Sequence, residues 1–411
     1  VGVIPDDWNV RLLGEIGNFS KGKGIKRNDV IDEGVGCIRY GELYTRYNNY
    51  VLKLVSHIPL SVSVTALPIM QGDLLFAGSG ETAEEIGKCV AYLSEEEAYA
   101  GGDIVVLRPS GHNSLYLGHL LNHNIVAQQK ASFGQGDAVV HISARNLAMV
   151  KLPLPPEKKE QDAIAITLSE VDGLIWALEK LIAKKRAIKK AAMQQLLTGK
   201  TRMPGFSGEW RSCTLGDLGT FSKGRGIKRD DVSDAGVACI RYGELYTRYH
   251  NYIITPVSRI SSLVASTALP IKTGDLLFAG SGETAEEIGL CAAYIGKEEA
   301  YAGGDIIVLT STRQNSLYLS HLMNHETVAA QKARLGQGDA VVHISSRNLA
   351  HIQIDLPLVD EQNAIASVLS DMDAEITALE RRREKTKQIK QGMMQELLTG
   401  RIRLVKPETA A

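Results

Sequence analysis

"GDLLFAGSGETAEEIG" occupies residues 72–87, and the same sixteen letters return at 274–289, 202 residues on. The stretch reads as a short apolar strand, DLLFA, that runs into a glycine-rich polar loop. Its unchanged return at a domain-sized interval decides the architecture. Other blocks keep the same offset: CIRYGELYTRY at 37–47 and 239–249, AYAGGDI from 98 and 300, GQGDAVVHIS from 134 and 336. One residue is then lost, and LLTG recurs at 196 and 397. The chain is a tandem duplication whose period is too long for a solenoid.

Each copy has two textures. The first is rich in glycine, tyrosine and short apolar runs. CIRY, GDLLFA and DIVVL read as strands, and SLYLGHLLNHNIVAQQ carries helical spacing with Asn113 or Ser114 as a candidate N-cap. The second begins after the proline cluster LPLPP at 152–156. Ile164, Leu168, Val171, Ile175, Leu178 and Ile182 step by four and three, a seam for packing against another helix, and Gly199 closes it. Ile365, Leu369, Met372, Ile376, Leu379, then Ile389, Met393 and Leu397 repeat the pattern, closed by Gly400. About 40 residues at ~1.5 Å each give a rod of roughly 60 Å. The expected fold is α+β: two duplicated mixed α/β domains, each followed by a long helix, the helices pairing as an antiparallel coiled coil with internal pseudo-two-fold symmetry. The boundaries expected are domain 1 at 1–157, helix 1 at 158–202, domain 2 at 203–358, helix 2 at 359–403 and a flexible tail at 404–411.

Composition narrows the function. The 411 residues are 44% hydrophobic and 23% charged with net charge −1, so any basic surface is local. VGVIPDDWNV does not read as a signal peptide, and no apolar run approaches the ~18 residues of a membrane span, so a cytoplasmic protein is expected. Cys37, Cys89, Cys213, Cys239 and Cys291 are odd in number and outside CxxC, and read as reduced, mostly buried thiols.

Catalytic signatures are absent. GSGETAEEIGK is not a phosphate loop: its lysine comes too late, and Glu84 and Glu85 would repel phosphate. GSG at 78 is not a nucleophile elbow. His119 and His123, repeated at His321 and His325, stand at i, i+4, a spacing that suits a metal. No third ligand accompanies them, so a polar helix face is the reading and no metal is expected.

What remains is binding chemistry. SKGKGIKR places Lys21, Lys23, Lys26 and Arg27 on a glycine-bearing loop, and Lys223, Arg225, Lys228 and Arg229 repeat it. Glycines let backbone approach a phosphate, and the cations displace its counterions. IRYGELYTRYNNY interleaves Arg39, Tyr40, Tyr44, Arg46, Tyr47 and Asn49, with Arg241, Tyr246, Arg248 and Tyr249 as copies. Arginine reads guanine, asparagine reads adenine, and tyrosine hydroxyls reach phosphate. Half-buried core tyrosines are the competing reading. Ser79, Glu81 and Thr82 (with Ser281 and Thr284) sit at the tip of the opening loop. Gln135, His141 and Arg145 (with Gln337, His343 and Arg347) follow in the FGQGDAVVHIS block. Each is a candidate groove contact or a plain turn residue. The cation-rich stretches KLIAKKRAIKK and ERRREKTKQIK read as solvated helix faces, a dipole preference or a protein dock.

The order of these elements resembles the DNA sequence-specificity subunit of Type I restriction–modification enzymes. The resemblance spans essentially the whole chain. It rests on LPLPPEKKEQDAIAITLSEVD, with Glu160-Gln161 opening the helix, and on Leu196 to Lys200 with Arg202 closing it. The second copy departs with Leu358 in place of Pro156, while Glu361-Gln362, Leu397 to Arg401 and Arg403 keep the pattern. GDLLFAGSGET also resembles a recurrent block of that family's target-recognition domains.

The resemblance implies two target-recognition domains similar to that of gamma-class adenine methyltransferases, each reading half of a bipartite site on double-stranded DNA. It implies a two-helix ruler that docks two modification (methyltransferase) subunits, with restriction subunits joining them. It implies no catalytic residue and no cofactor here: S-adenosylmethionine, ATP and Mg2+ belong to the partners, and no membrane or small-molecule substrate is involved. Because the copies share their contact blocks, an interrupted palindrome is expected, with half-sites ~10–15 bp apart and an adenine to be flipped and methylated in each. The copies differ at Asn48/His250, Lys88/Leu290, Arg108/Thr310 and Ser132/Arg334, where missing cations are expected to tilt affinity between half-sites. The rival readings are a nuclease with a degenerate active site, a coiled-coil scaffold without DNA specificity, and the specificity subunit of a Type IIB-like system.

Overall fold

The computed structural model describes residues 4–136, 138–311, 313–338 and 341–405. The chain divides into two compact units, residues 1–179 with 381–411, and residues 180–380. Each unit therefore holds one domain, the amino half of the long helix that follows it, and the carboxy half of the other long helix.

In the first unit the strand Leu74–Ala77 is buried on every residue. Side chains alternate across a strand, so a fully apolar run must be covered on both faces. Leu74 and Phe76 join one core cluster, while Leu75 and Ala77 join another. The strand is central in a five-stranded sheet, ordered 17–21, 104–109, 74–77, 89–92, 50–51. One face of this sheet packs on a four-stranded sheet ordered 56–58, 35–38, 98–100, 67–69. Helical residues Leu117 and Leu120 cover the other, together with Ile164 and Leu168 of the first long helix and Leu397 and Leu398 at the end of the second. The second unit repeats the plan, with Leu276 and Phe278 on one face of their strand and Leu277 and Ala279 on the other. Its second sheet gains an edge strand, Val232–Ser233.

Each domain is closed where its helix begins. Asn9–Leu12 pairs antiparallel with Lys151–Leu154, and Arg211–Thr214 with Gln353–Leu356. The long helices run Lys158–Leu196 and Val359–Leu397, 39 residues each. At ~1.5 Å per residue, each is roughly 60 Å long. Gly199 and Gly400 adopt φ of +69° and +71°, the left-handed geometry of a helix C-cap. In the first unit Lys390 pairs with Asp172 at 2.6 Å and Lys387 with Glu179 at 2.8 Å. Partner numbers fall as helix numbers rise, so the halves run antiparallel. In the second unit Arg186–Glu380 and Lys189–Asp373 follow the same order, and Lys185 also pairs across to Glu375.

Several local expectations need correction. Ile164, Leu168, Ile365 and Leu369 face the cores of their own units' domains as well as lying on the helix seam. Between the helices, Leu178, Ile182 and Ile376 are buried, and Val171, Ile175, Met372 and Leu379 are partly covered. Ile389 is 51% exposed, and Thr386 is the buried residue there. Seven residues beyond Leu379, at ~100° per residue, Thr386 keeps the seam's direction, while Ile389 is rotated off it. CIRY is not all strand: the strand ends at Ile38 and Tyr40–Thr45 is helical. Glu42 closes that helix start, its carboxylate accepting from Arg39 N at 3.0 Å. SLYLGHLLNHNIVAQQ is two helices, Ser114–Asn122 and Asn124–Phe133, broken at His123, with Asn113 as the N-cap. Of the tail 404–411, residues 406–411 lie outside the described residues. Among the described residues, no helix is long and apolar enough to cross a membrane.

Candidate nucleic-acid interface

Three of the repeated blocks converge. Ser79–Gly80, at the exit of the central strand, pairs antiparallel with Val140–His141. This lays the GSGET loop beside the GQGDAVVH loop. Gln135 and His141 exchange backbone hydrogen bonds of 3.0 and 2.8 Å. The intervening turn needs Gly136, at φ +115°, where a Cβ would lie 2.2 Å from Val139 O. From the third block, Tyr44 donates its hydroxyl to the carbonyls of Ser79 (3.1 Å) and Glu85 (3.3 Å). Ser79 Oγ meets His141 Nδ1 at 2.9 Å. The second unit repeats the junction: Tyr246 to Ser281 at 3.0 Å and Glu287 at 3.3 Å, and Ser281 to His343 at 2.9 Å.

The junction sorts the candidate residues. Thr82, Gln135, His141 and Arg145 are exposed, as are Thr284, Gln337, His343 and Arg347. Ser79 and Ser281 are buried, 4% exposed each, and hold their histidines. Tyr47 and Tyr249 are core residues whose hydroxyls accept from Val55 N and Val257 N. Burial pushes both phenols up to about 12. Neither the buried serines nor these tyrosines present a surface.

A second feature is an open cleft of about 820 Å³, lined by Arg27, Arg39, Tyr40 and Arg46 beside the backbone of Gly101 and Gly102. Its copy, about 770 Å³, has Arg229, Arg241, Tyr242 and Arg248 beside Gly303 and Gly304. Arg39 is held by buried Glu42 at 3.0 Å, and Glu42 also accepts from Ser56 Oγ at 2.5 Å. Arg241–Glu244–Ser258 is the same arrangement. Arg27 and Arg46 are exposed and have no ion pair among the described residues. Lys21, Lys23 and Lys26, with Lys223, Arg225 and Lys228, are exposed on the adjoining stretch. Such a cleft suits a phosphate diester. Replacing Arg27, Arg46, Arg229 and Arg248 by alanine is expected to weaken duplex binding across all sequences. It should also lower the log–log salt slope by about 1 for each phosphate no longer neutralised, read by fluorescence anisotropy over a salt series.

Some functional positions were not legible from the letters. Lys130, 2% exposed, donates to Gly87 O at 2.6 Å and so pins the end of the GSGETAEEIG loop. Lys332 does the same for Gly289. Burial pushes both ammonium groups down to about 8. Their place on an amphipathic helix gave no hint of this. The expectation that missing cations tilt half-site affinity is corrected at two positions. Lys88 donates to Tyr47 O at 2.8 Å, and Arg108 makes a two-pronged pair with Asp73 at 2.8 Å. Both serve internal partners. Thr310 replaces Arg108 by donating to Asp275 at 2.7 Å. Arg334 is exposed, and so are Asn48 and His250.

His119 and His321 are fully buried rather than on a polar helix face. Asn122 exchanges hydrogen bonds with the backbone of Cys89 and donates to Asn49, whose amide meets His119 Nδ1 at 3.2 Å. His119 Nε2 lies 4.0 Å from Asp172, the carboxylate that also takes Lys390. This polar chain ties the central sheet to the helix pair. Among the described residues no group of three His, Cys, Asp or Glu is placed to hold a metal.

A family model for the Type I restriction modification DNA specificity domain matches residues 5–190 and again 207–391. Two similar proteins come from Methanocaldococcus jannaschii. The Type I restriction enzyme MjaVIII specificity subunit is 24% identical, over 98% of this chain and 94% of that protein. The putative type I restriction enzyme MjaX specificity subunit is 26% identical, over 98% and 96%. Among solved structures, the S subunit of a Type I restriction–modification system from M. genitalium shares the fold, with TM-score 0.64, 13% identity and 97% coverage of both chains. A chain from a structure on the assembly and conformational transition of the type I system has TM-score 0.55 and 14% identity, over 98% of this chain and 100% of that one.

Proposed function

This chain belongs to the Type I restriction–modification DNA specificity family, and from that we propose that it reads an interrupted palindrome and positions methyltransferase subunits on it. The observation that carries the reading is the near-identity of the two recognition junctions. Tyr44–Ser79–His141 and Tyr246–Ser281–His343 agree within about 0.1 Å in every hydrogen bond, and the lining of the two arginine clefts matches position for position apart from Asp103 in the first. Like readers bind like half-sites. The chain acts in the cytoplasm as a non-catalytic subunit. The long helices serve as the ruler and as the dock for two methyltransferase subunits, which restriction subunits join. S-adenosylmethionine, ATP and Mg2+ are used by those partners. The half-sites lie ~10–15 bp apart, centre to centre, and each holds an adenine that the partner flips out and methylates.

The test of DNA binding is the affinity of the chain, co-purified with its methyltransferase subunit, for random-sequence duplex at several salt concentrations. Steeply salt-dependent binding is the expected result. Absent or salt-insensitive binding would favour a scaffold.

A further inference from the structure

We infer that His141 and His343 are base-reading side chains, each presenting a ring N–H to a guanine in its half-site, and that Ser79 and Ser281 position them. This rests on the DNA-recognition reading above. Of the candidate contact residues, four are exposed around the junction: Thr82, Gln135, His141 and Arg145. Only the histidine has both its backbone and its ring fixed. Its backbone is paired with Gln135 and with the Ser79–Gly80 strand. Its ring is held through Nδ1 by Ser79 Oγ at 2.9 Å. Ser79 is itself 4% exposed, with its carbonyl tied to Tyr44. A side chain already held in its bound orientation loses less entropy on binding than a free glutamine or arginine.

The serine also sets the tautomer. A buried hydroxyl proton needs an acceptor, and for Ser79 that acceptor is Nδ1. With Nδ1 accepting, the ring proton sits on Nε2, which has no protein partner among the described residues. The exposed edge is therefore a hydrogen-bond donor. In the major groove guanine offers two acceptors, O6 and N7, to such a donor. The same pair is not a hydrolytic dyad. A serine nucleophile must be reachable by substrate, and this one is covered.

The experiment compares N6-methyladenine maps from cells that express the wild-type complex, or complexes with His141→Ala and His343→Ala together, His141→Ala alone, or Ser79→Ala and Ser281→Ala together. The wild-type motif should contain a G·C pair in each half-site. In the double histidine variant, discrimination at that pair should fall about tenfold while other positions hold. The single variant should relax one half only, which turns a symmetric motif into an asymmetric one. The serine variants should relax the same base pair by a smaller factor, whereas a purely structural serine would weaken every position alike. Glu95→Ala, at an exposed residue outside the recognition blocks, is the control and should leave that pair unchanged.

An unchanged motif in the double histidine variant, or a wild-type motif without G·C pairs, overturns the inference and leaves the DNA reading standing. Loss of methylation together with loss of salt-dependent binding to random duplex also overturns it, because a base contact changes discrimination and spares the sequence-independent affinity. If the wild-type complex itself neither binds duplex nor methylates, the underlying DNA reading has failed instead.

Discussion

Replacing Arg403 by alanine is expected to destabilise the first compact unit by about 3–5 kcal/mol, the usual cost of stranding one partner of a buried ion pair. Arg403 grips both oxygens of Glu160 and also donates to Asp7 at 2.9 and 3.0 Å. Glu160 is only 3% exposed on its side chain, so its charge would be left without a counterion or solvent. The guanidinium also lies 5.8 Å from the Trp8 ring. At Gly400 a Cβ would come within 2.5 Å of Pro5, so this position must stay without a side chain where the chain passes Pro5 on its way to the clasp. The second unit repeats the clasp, with Arg202 on Glu361 at 2.5 and 2.7 Å and over Trp210 at 5.8 Å. The neighbouring Gln161 and Gln362 accept from Asn113 N and Asn315 N, each at 3.0 Å. The Glu-Gln pair is thus a structural latch: glutamate to the arginine, glutamine to the domain. Thermal unfolding should show Arg403→Ala lowered by roughly 6–20 °C. Arg403→Lys should recover only part of this, since an ammonium lacks the two-pronged fork. Arg401→Ala, at a side chain 64% exposed, should move stability by less than about 0.5 kcal/mol. A change below about 1 kcal/mol at Arg403 would refute the latch.

Acid should cost nearly as much. His119 is held down to about 3, first by burial and then by Lys390. Asp172 would favour the imidazolium, but Lys390 already neutralises it at 2.6 Å. His321 is held down to about 4 by burial and then Lys189, with Asp373 opposing. A histidine whose folded pKa lies below its unfolded value of about 6.5 stabilises the fold fully above that value. The stabilisation is lost as pH falls towards the folded value, because the unfolded chain takes up the proton first. At pH 4.5 the loss is about 2–3 kcal/mol per histidine. Denaturant unfolding between pH 7 and 4.5 measures it. With His119→Asn and His321→Asn the slope over that range should shrink, even if stability at pH 7 is lower. An unchanged slope would mean that the imidazoles are hydrated.

The duplication was legible because whole blocks recur letter for letter, and LLFA announced a strand covered on both faces. Helix starts and stops followed from Pro156, Gly199 and Gly400. Contacts across long sequence separations were not legible. That Ser79 is buried depends on a loop 62 residues away, and nothing in GSGET separates a hidden hydroxyl from one at a tip. His119 read with His123 as a polar helix face because of its residue type and spacing, yet it is fully buried and lies 4.0 Å from Asp172 of the long helix. The loss of Lys88 and Arg108 in the second copy read as a tilt in half-site affinity because letters report charge, whereas the fold supplies an internal acceptor for each. Thr386, polar by type, occupies a seam position because its hydroxyl bonds back to Arg382 O at 2.8 Å.

The most direct test of the central claim is to map N6-methyladenine across the genome of cells that express this chain with its methyltransferase subunit. The account predicts one interrupted palindrome, methylated on both strands, with equal occupancy of the two half-sites. A bipartite motif with two different halves would contradict it, and would assign specificity to the few positions at which the copies differ.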